Sequence, residues 1–276
     1  MEYYVRMMQR INALSLTCNV KDWLANSDHP CILHIFDNVC NLINEHSEIL
    51  SIVTPQIGNG PFNLVLEKDV LFSRYLSLES QTFIFSAQLK LGDLTVQTVN
   101  ANCWSPIPDW ETLHGKRAEI LDQILSLPVN PFQPSLPTQL LSTFSIAMIV
   151  PDLTTSLAAA KQLAGLGQGL TPAGDDFILG AILAAWIIHP PKVARNLAEE
   201  IMNVAAPLTT SLSAAWLRSA GRGEVGIRWH EFLESLISGD PASIQKAMDK
   251  IFAMGETSGA DALTGFTRLF AGQGNR

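Results

Sequence analysis

Two textures divide the chain. Up to about residue 105, apolar positions fall in short runs rich in β-branched and aromatic residues, each closed by a turn signal. Cys31–Phe36, Ile49–Thr54, Phe62–Glu67, Thr82–Leu89 and Leu94–Val99 read as strands on that pattern. Leu91-Gly92-Asp93 reads as the hairpin turn joining the last two, and Gln56 to Pro61 as a Gly-rich link between the second and third. Short strands at this spacing predict a small antiparallel sheet or barrel.

A Pro-rich stretch follows. One helix is expected from Trp110 to Leu127, after which Pro128, Pro131, Pro134 and Pro137 preclude regular structure. From Gln139 onward Leu, Ala and Met dominate and glycines mark the breaks. Helices are expected over 139–148, 153–164, 174–188, 192–204, 209–220, 228–237, 241–253 and 259–271. The fold class is therefore α+β. A β-rich domain with a closing helix covers 1–127, an irregular connector covers 128–138, and a helical domain covers 139–276. The apolar run Phe177–Ile188 would make a helix about 18 Å long, short of the ~30 Å hydrocarbon core of a membrane, so it is read as a buried core helix.

Composition narrows the partners. Hydrophobic residues make up 47% and charged residues 16%, so the chain can bury a sizeable core and is not disordered. So few charges also suggest that some surface is covered by a partner. Lys and Arg total 18 against 26 Asp and Glu, a net charge of −8. No stretch is basic enough to follow a phosphate backbone or an anionic bilayer, so neither nucleic acid nor a membrane is an expected partner. The four cysteines, Cys18, Cys31, Cys40 and Cys103, form no C-x-x-C pair and no ligand spacing with the six histidines. They read as small, partly buried side chains of a reduced, cytoplasmic protein. The N-terminal segment lacks the apolar core and cleavage site of a secretory signal.

The chemistry concentrates in Gly165-Leu-Gly167-Gln-Gly169-Leu-Thr171-Pro172-Ala-Gly174-Asp175-Asp176, directly ahead of the apolar helix. Thr171 is placed to cap that helix, with Pro172 at its first position and Asp175 and Asp176 in its first turn. A Gly-rich loop running into a helix N-terminus is an anion site. Two aspartates would repel a bare phosphate, so either a metal lies between them and the anion, or the aspartates orient the loop. The competing reading is a well-capped helix and nothing more, which leaves Gly165, Gly167 and Gly169 unexplained. No Lys follows, as a Walker A loop requires, and no strand precedes, as a dinucleotide fingerprint requires.

A near copy occurs at Gly255-Glu-Thr257-Ser258-Gly259-Ala-Asp261. Each copy opens an expected helix, and each helix carries a glycine four residues after an aspartate: Asp176 then Gly180, and Asp261 then Gly265. Such glycines cost about 1 kcal/mol each relative to Ala in a helix interior. Close helix–helix approach would offset that cost, so the two N-termini are expected to cross closely, with both Thr-rich loops facing one pocket. A third stretch, Thr209-Thr210-Ser211-Leu-Ser213-Ala-Ala-Trp216-Leu-Arg218, offers a cap from Thr209 or Thr210 and two polar groups, Ser213 and Arg218, on an apolar helix. Arg218 could bind a carboxylate or phosphate in bidentate fashion, or pair structurally with Asp175, Asp261 or Glu224. No Ser lies in a nucleophile elbow, and His189 and His230 stand at helix ends as surface or capping residues.

The segments GLTPAGDDFILGAILAAW (169–186), TTSLSAAWLRSA (209–220) and GETSGADALTGF (255–266) resemble the AllH-like family, best over residues 160 to 270 and less closely around Gly58-Asn-Gly60-Pro61. Ala173-Gly174 and Glu256 depart from a more polar pair and a His found in some relatives. The resemblance implies a carbamoyltransferase subunit of anaerobic allantoin catabolism. It would act beside an acyl-CoA-synthetase-like subunit and a third component, interconverting oxalurate plus phosphate with oxamate plus carbamoyl phosphate.

Three readings follow. In the first, the chain is such a subunit. Loop amides near Gly167 and Gly169, with Thr171, Thr209, Ser213, Thr257, Ser258 and Gly259, hold a small anionic substrate. Arg218 clamps a carboxylate, and Asp175, Asp176 and Asp261 hold Mg²⁺ or orient the loops. In the second, paired aspartates serve a stand-alone Mg²⁺-dependent hydrolase. In the third, the chain is a non-catalytic assembly subunit, docked to other subunits or to its own copies.

Overall fold

The strand-forming texture of the first hundred residues produces a sheet, and the Leu/Ala texture after it produces a helical layer; both are seen in a computed structural model that describes residues 9–127 and 136–274. Met1–Met8, the prolines at 128, 131 and 134, and the connector expected there up to residue 135 lie outside the described residues. Contacts divide the chain into two compact units, Met1–Pro106 and Ile107–Arg276. The division therefore falls ahead of the helix expected to close the N-terminal domain, and that segment packs with the C-terminal unit.

In chain order the first unit comprises β1 (Gln9–Leu16), α1 (Cys18–Asn26), β2 (Cys31–Ile35), β3 (Val39–Ile43), β4 (Ile49–Val53), β5 (Asn63–Leu66), α2 (Phe72–Tyr75), β6 (Thr82–Phe85), β7 (Gln88–Leu91), β8 (Leu94–Gln97) and β9 (Asn102–Cys103). The strands form one sheet in the order β2-β3-β4-β5-β1-β8-β7-β6, with β9 added against β1. The sheet is mixed rather than antiparallel: β1 runs parallel to both β8 and β9, and β4 parallel to β5. Two of the three parallel pairs involve β1, which the sequence pattern did not announce and which inserts at the middle of the path; the third joins β4 and β5 across the Gly-rich link. The inward residues of β1, Ile11, Ala13 and Leu16, are buried, but polar Asn12 and Ser15 break the apolar run. Likewise β3 carries the buried Asn41, which is satisfied across the ladder by the Ser51 hydroxyl at 2.6 Å. The run Thr82–Leu89 is two strands, because Ser86 takes a positive φ of 53° and turns the chain between β6 and β7. Gly92, with φ of 50°, makes the expected hairpin turn between β7 and β8. The Thr82 hydroxyl donates to the Pro30 carbonyl, joining the start of β6 to the chain just before β2 at the two ends of the strand order. Leu42, Leu50, Leu64, Leu89, Val96 and Phe72 are among the residues of this unit's core.

The second unit begins with α3 (Trp110–Gly115) and α4 (Arg117–Ser126), the expected single helix broken where Lys116 leaves helical geometry after Gly115. All eight helices expected from Gln139 onward form: α5 (Thr138–Ile149), α6 (Leu153–Leu163), α7 (Ala173–Ile188), α8 (Pro191–Ala205), α9 (Ser211–Gly221), α10 (Ile227–Ser238), α11 (Pro241–Phe252) and α12 (Ser258–Gly274). The apolar α7 is buried along its whole length except Leu179, and it packs most extensively on α12. Among the described residues no helix is long and apolar enough to cross a membrane.

The two helical glycines explain that contact. A Cβ at Gly180 would lie 1.8 Å from the Ala262 carbonyl oxygen on α12, and one at Gly265 would lie 2.0 Å from the Phe177 carbonyl oxygen on α7. Each glycine thus admits the other helix's backbone, which brings the N-terminal ends of α7 and α12 together.

Candidate functional site

The loop before α7 is built on left-handed glycines. Gly165, Gly167 and Gly169 have φ of 72°, 126° and 90°, conformations that any side chain would strain. Gly165 and Gly167 are also crowded: a Cβ at either would lie 2.7 Å from backbone, at Leu208 O and Ala173 N respectively. Gly169 faces open space, so there only its dihedral demands glycine. Gly174 fits against the end of α6, where a Cβ would lie 2.0 Å from Leu163 O. Among the described residues the N–H groups of Gly167, Gln168 and Gly169 make no hydrogen bond, and all three residues are exposed. The first-turn amides of α7 are differently placed. Gly174 N–H donates to Leu166 O at 2.8 Å, and those of Asp175 and Asp176 donate to Pro172 O. Open donors are therefore in the loop, not in the first turn of the helix.

Asp175 holds this loop in place. One carboxylate oxygen accepts from Gly165 N–H at 2.9 Å; the other accepts from the Thr209 hydroxyl and from the Ser213 hydroxyl at 2.8 Å. Its side chain is buried, and burial raises its proton affinity against the pull of those donors. Both oxygens are engaged, so these hydrogen bonds make Asp175 an anchor of the loop. Thr209 and Ser213, expected as ligand contacts, belong to that anchor. Thr210 is the N-cap of α9 and accepts from Ser213 N–H, while its hydroxyl donates to Leu170 O at 2.5 Å. One capping residue thereby also ties α9 to the Gly-rich loop.

Thr171 is not the cap of α7. Pro172 occupies that position and, having no side-chain oxygen, makes no capping hydrogen bond. The Thr171 hydroxyl instead meets the Ser258 hydroxyl at 2.8 Å, across 87 residues of sequence. The two copies of the Thr/Asp pattern are thus joined directly. Gly259 makes the second loop possible, since a Cβ there would lie 1.8 Å from Ile251 O.

Asp176 and Asp261 lie in the first turns of α7 and α12. Each is buried, and Asp176 Oδ2 and Asp261 Oδ1 find no hydrogen-bond partner among the described residues. Burial pushes the Asp176 carboxyl up to about 8; the Ser258 and Thr171 hydroxyls pull the other way, and the charges of Asp261 and Asp175 add to the rise. Burial also raises Asp261, opposed by the exposed Thr257 hydroxyl. Among the described residues no group of three or more His, Cys, Asp and Glu side chains could hold a metal ion. Asp176 and Asp261 are the two carboxylates left with an oxygen to offer Mg²⁺, a cation that is often held by two carboxylates and a substrate phosphate. A proton on Asp176 is the other way to neutralise the pair.

Arg218 is half-buried on α9, and its side chain makes no hydrogen bond or ion pair among the described residues. The structural pairing with Asp175, Asp261 or Glu224 does not form. Glu224 is taken by Arg222, through bonds of 3.0 and 2.7 Å. His189 is the C-cap of α7, yet it is buried, with Nε2 against the Met148 carbonyl at 2.8 Å.

Family models match both units. Residues 163–270 match the family described as oxamate carbamoyltransferase subunit AllH, and residues 12–103 match the AllH family N-terminal domain. The chain belongs to the AllH family. The family's name makes it a carbamoyltransferase subunit acting with oxamate, and the word subunit implies a complex with other chains. The C-terminal match takes in all three of the loops described above. No solved structure matches the chain.

Proposed function

We propose that this AllH-family chain holds the small anions of a carbamoyl transfer, phosphate or carbamoyl phosphate together with oxamate, at the paired starts of α7 and α12. The observation that carries the reading is the meeting of Thr171 and Ser258 beside a loop with three open amides. An anion on Gly167, Gln168 and Gly169 would receive preorganised N–H donors, and the two hydroxyls would supply more. Asp175 lies behind the loop with its charge shared among three donors, so its role is orientation, not repulsion.

Carbamoyl transfer from carbamoyl phosphate to oxamate joins the oxamate nitrogen to the carbamoyl carbon and releases phosphate; the nitrogen loses a proton. Such a reaction needs its two anions held in line and donors at the developing oxyanion. Arg218, with no partner of its own among the described residues, is the group for the oxamate carboxylate. Asp176 has a proton affinity near neutral, which suits it to exchange the nitrogen's proton. Mg²⁺, where it takes the place of that proton, would sit on Asp176 and Asp261 and shield the phosphate charge.

The test is to co-purify the tagged chain with its partner subunits and measure oxamate-dependent release of phosphate from carbamoyl phosphate. Thr171→Ala and Arg218→Ala should each lower kcat/KM by tenfold or more without loss of partners. Unchanged kinetics in both variants would remove the site from this loop.

A further inference from the structure

We infer that Cys18 and Cys103 form a redox-sensitive pair that closes to a disulfide in the folded chain. Their sulfurs lie 3.4 Å apart and both residues are exposed. A disulfide requires about 2.05 Å between sulfurs, so closure needs a shift of little more than an ångström at residues open to solvent. The backbone already brings the two together. Cys103 ends β9 and is in register with Leu16 of β1, two residues before Cys18 opens α1. Trp104 N–H donates to Leu16 O at 2.8 Å and fixes that alignment.

The other two cysteines are internal controls. Cys40 is fully buried and its thiol is pushed up to about 12 by burial, so it is shielded and protonated. Cys31 is exposed, and its sulfur faces only the His29 carbonyl at 3.8 Å, with no second thiol at hand. Only the Cys18–Cys103 pair combines exposure with a neighbouring sulfur.

The oxidant is a small disulfide of the glutathione type. One thiolate attacks a glutathione sulfur and expels glutathione thiolate, leaving a mixed disulfide. The second cysteine then attacks the protein sulfur and expels the second glutathione. Two electrons pass to the small disulfide and two thiols are released. The ring so closed takes in β2 through β8, between residues 85 apart in sequence. Closure would therefore staple the two ends of the strand-rich unit, just ahead of the boundary at Pro106.

The experiment incubates the folded, full-length chain in graded mixtures of oxidised and reduced glutathione, blocks free thiols and maps the peptides by mass spectrometry. The expected product is a Cys18–Cys103 cross-link lighter by two hydrogens, formed under conditions that leave Cys31 either free or singly glutathionylated. Oxidised wild type should unfold at a higher midpoint than reduced wild type; in Cys103→Ser, Cys18 should carry glutathione instead and that rise should vanish. Separate glutathione adducts on Cys18 and Cys103, or two free thiols where Cys31 is already modified, would overturn the inference.

Discussion

The hydroxyls of Thr171 and Ser258 lie 2.8 Å apart although 87 residues separate them. Neither residue reaches the other through its own loop alone. The contact exists because Gly180 and Gly265 let α7 and α12 approach to backbone distance, and the geometry of the candidate site inherits that crossing.

The crossing sets the first expectation. Helix propensity alone favours Gly→Ala by about 1 kcal/mol in a helix interior. Here the added methyl would fall 1.8 Å from a carbonyl oxygen at Gly180 and 2.0 Å at Gly265. Overpacking of about 1–3 kcal/mol is therefore expected to win. Urea unfolding of Gly180→Ala and Gly265→Ala should show a lower midpoint for both, and a raised midpoint would mean the helices are not so close.

Asp175 should behave as a structural anchor. Removing it leaves Gly165 N–H and the Thr209 and Ser213 hydroxyls without their acceptor. Asp175→Ala should cost about 3 kcal/mol, the scale for breaking a buried charged network. Ser213→Ala alone should cost about 1–2 kcal/mol. A double-mutant cycle measures the coupling; strict additivity would contradict the shared network.

Asp176 predicts a pH dependence. Its folded carboxyl titrates near 8, above the ordinary carboxylate range near 4. The folded chain binds that proton more tightly than the unfolded chain. Its stabilising contribution is therefore complete below about pH 4, and it is lost as pH rises through about 8. Asp176→Asn removes the titration. At pH 8 the variant should be more stable than wild type by at least ~1 kcal/mol, and near pH 4 the gap should close. Guanidinium melts at the two pH values test this, and a pH-independent difference would reject it.

Arg218 separates ligand binding from folding. With no partner among the described residues, Arg218→Ala should change stability by no more than about 0.5 kcal/mol. Oxamate affinity should fall by roughly tenfold or more, the scale of a charge-assisted bond. Calorimetry on the assembled complex reads the affinity; a large loss of stability would assign Arg218 to the core instead.

Much of this was legible in the chain because it rests on local rules. Eight helices from Gln139 onward were marked by their apolar density and by glycine breaks, and Gly180 and Gly265 announced the crossing by their cost. Other features depend on partners far away in sequence. β1 was hidden because the buried Ser15 interrupts its inward face, and nothing local says that Asn41 will meet Ser51. The capping rule misassigned Thr171, since Pro172 took the cap and released the hydroxyl to Ser258. The sequence left Asp175 between holding a metal and orienting the loop, because two of its donors, Thr209 and Ser213, come from a distant segment.

The most direct test is a thermal-shift titration of the purified chain with phosphate, carbamoyl phosphate and oxamate, singly and paired, with and without Mg²⁺. A ligand at 100 times its Kd should stabilise the fold by about 2.7 kcal/mol, a rise of a few degrees. The account predicts that phosphate or carbamoyl phosphate raises Tm in wild type, and that Thr171→Ala and Ser258→Ala, still folded, lose the shift. An equal shift in those variants, or none in wild type, would contradict an anion site at the meeting of α7 and α12.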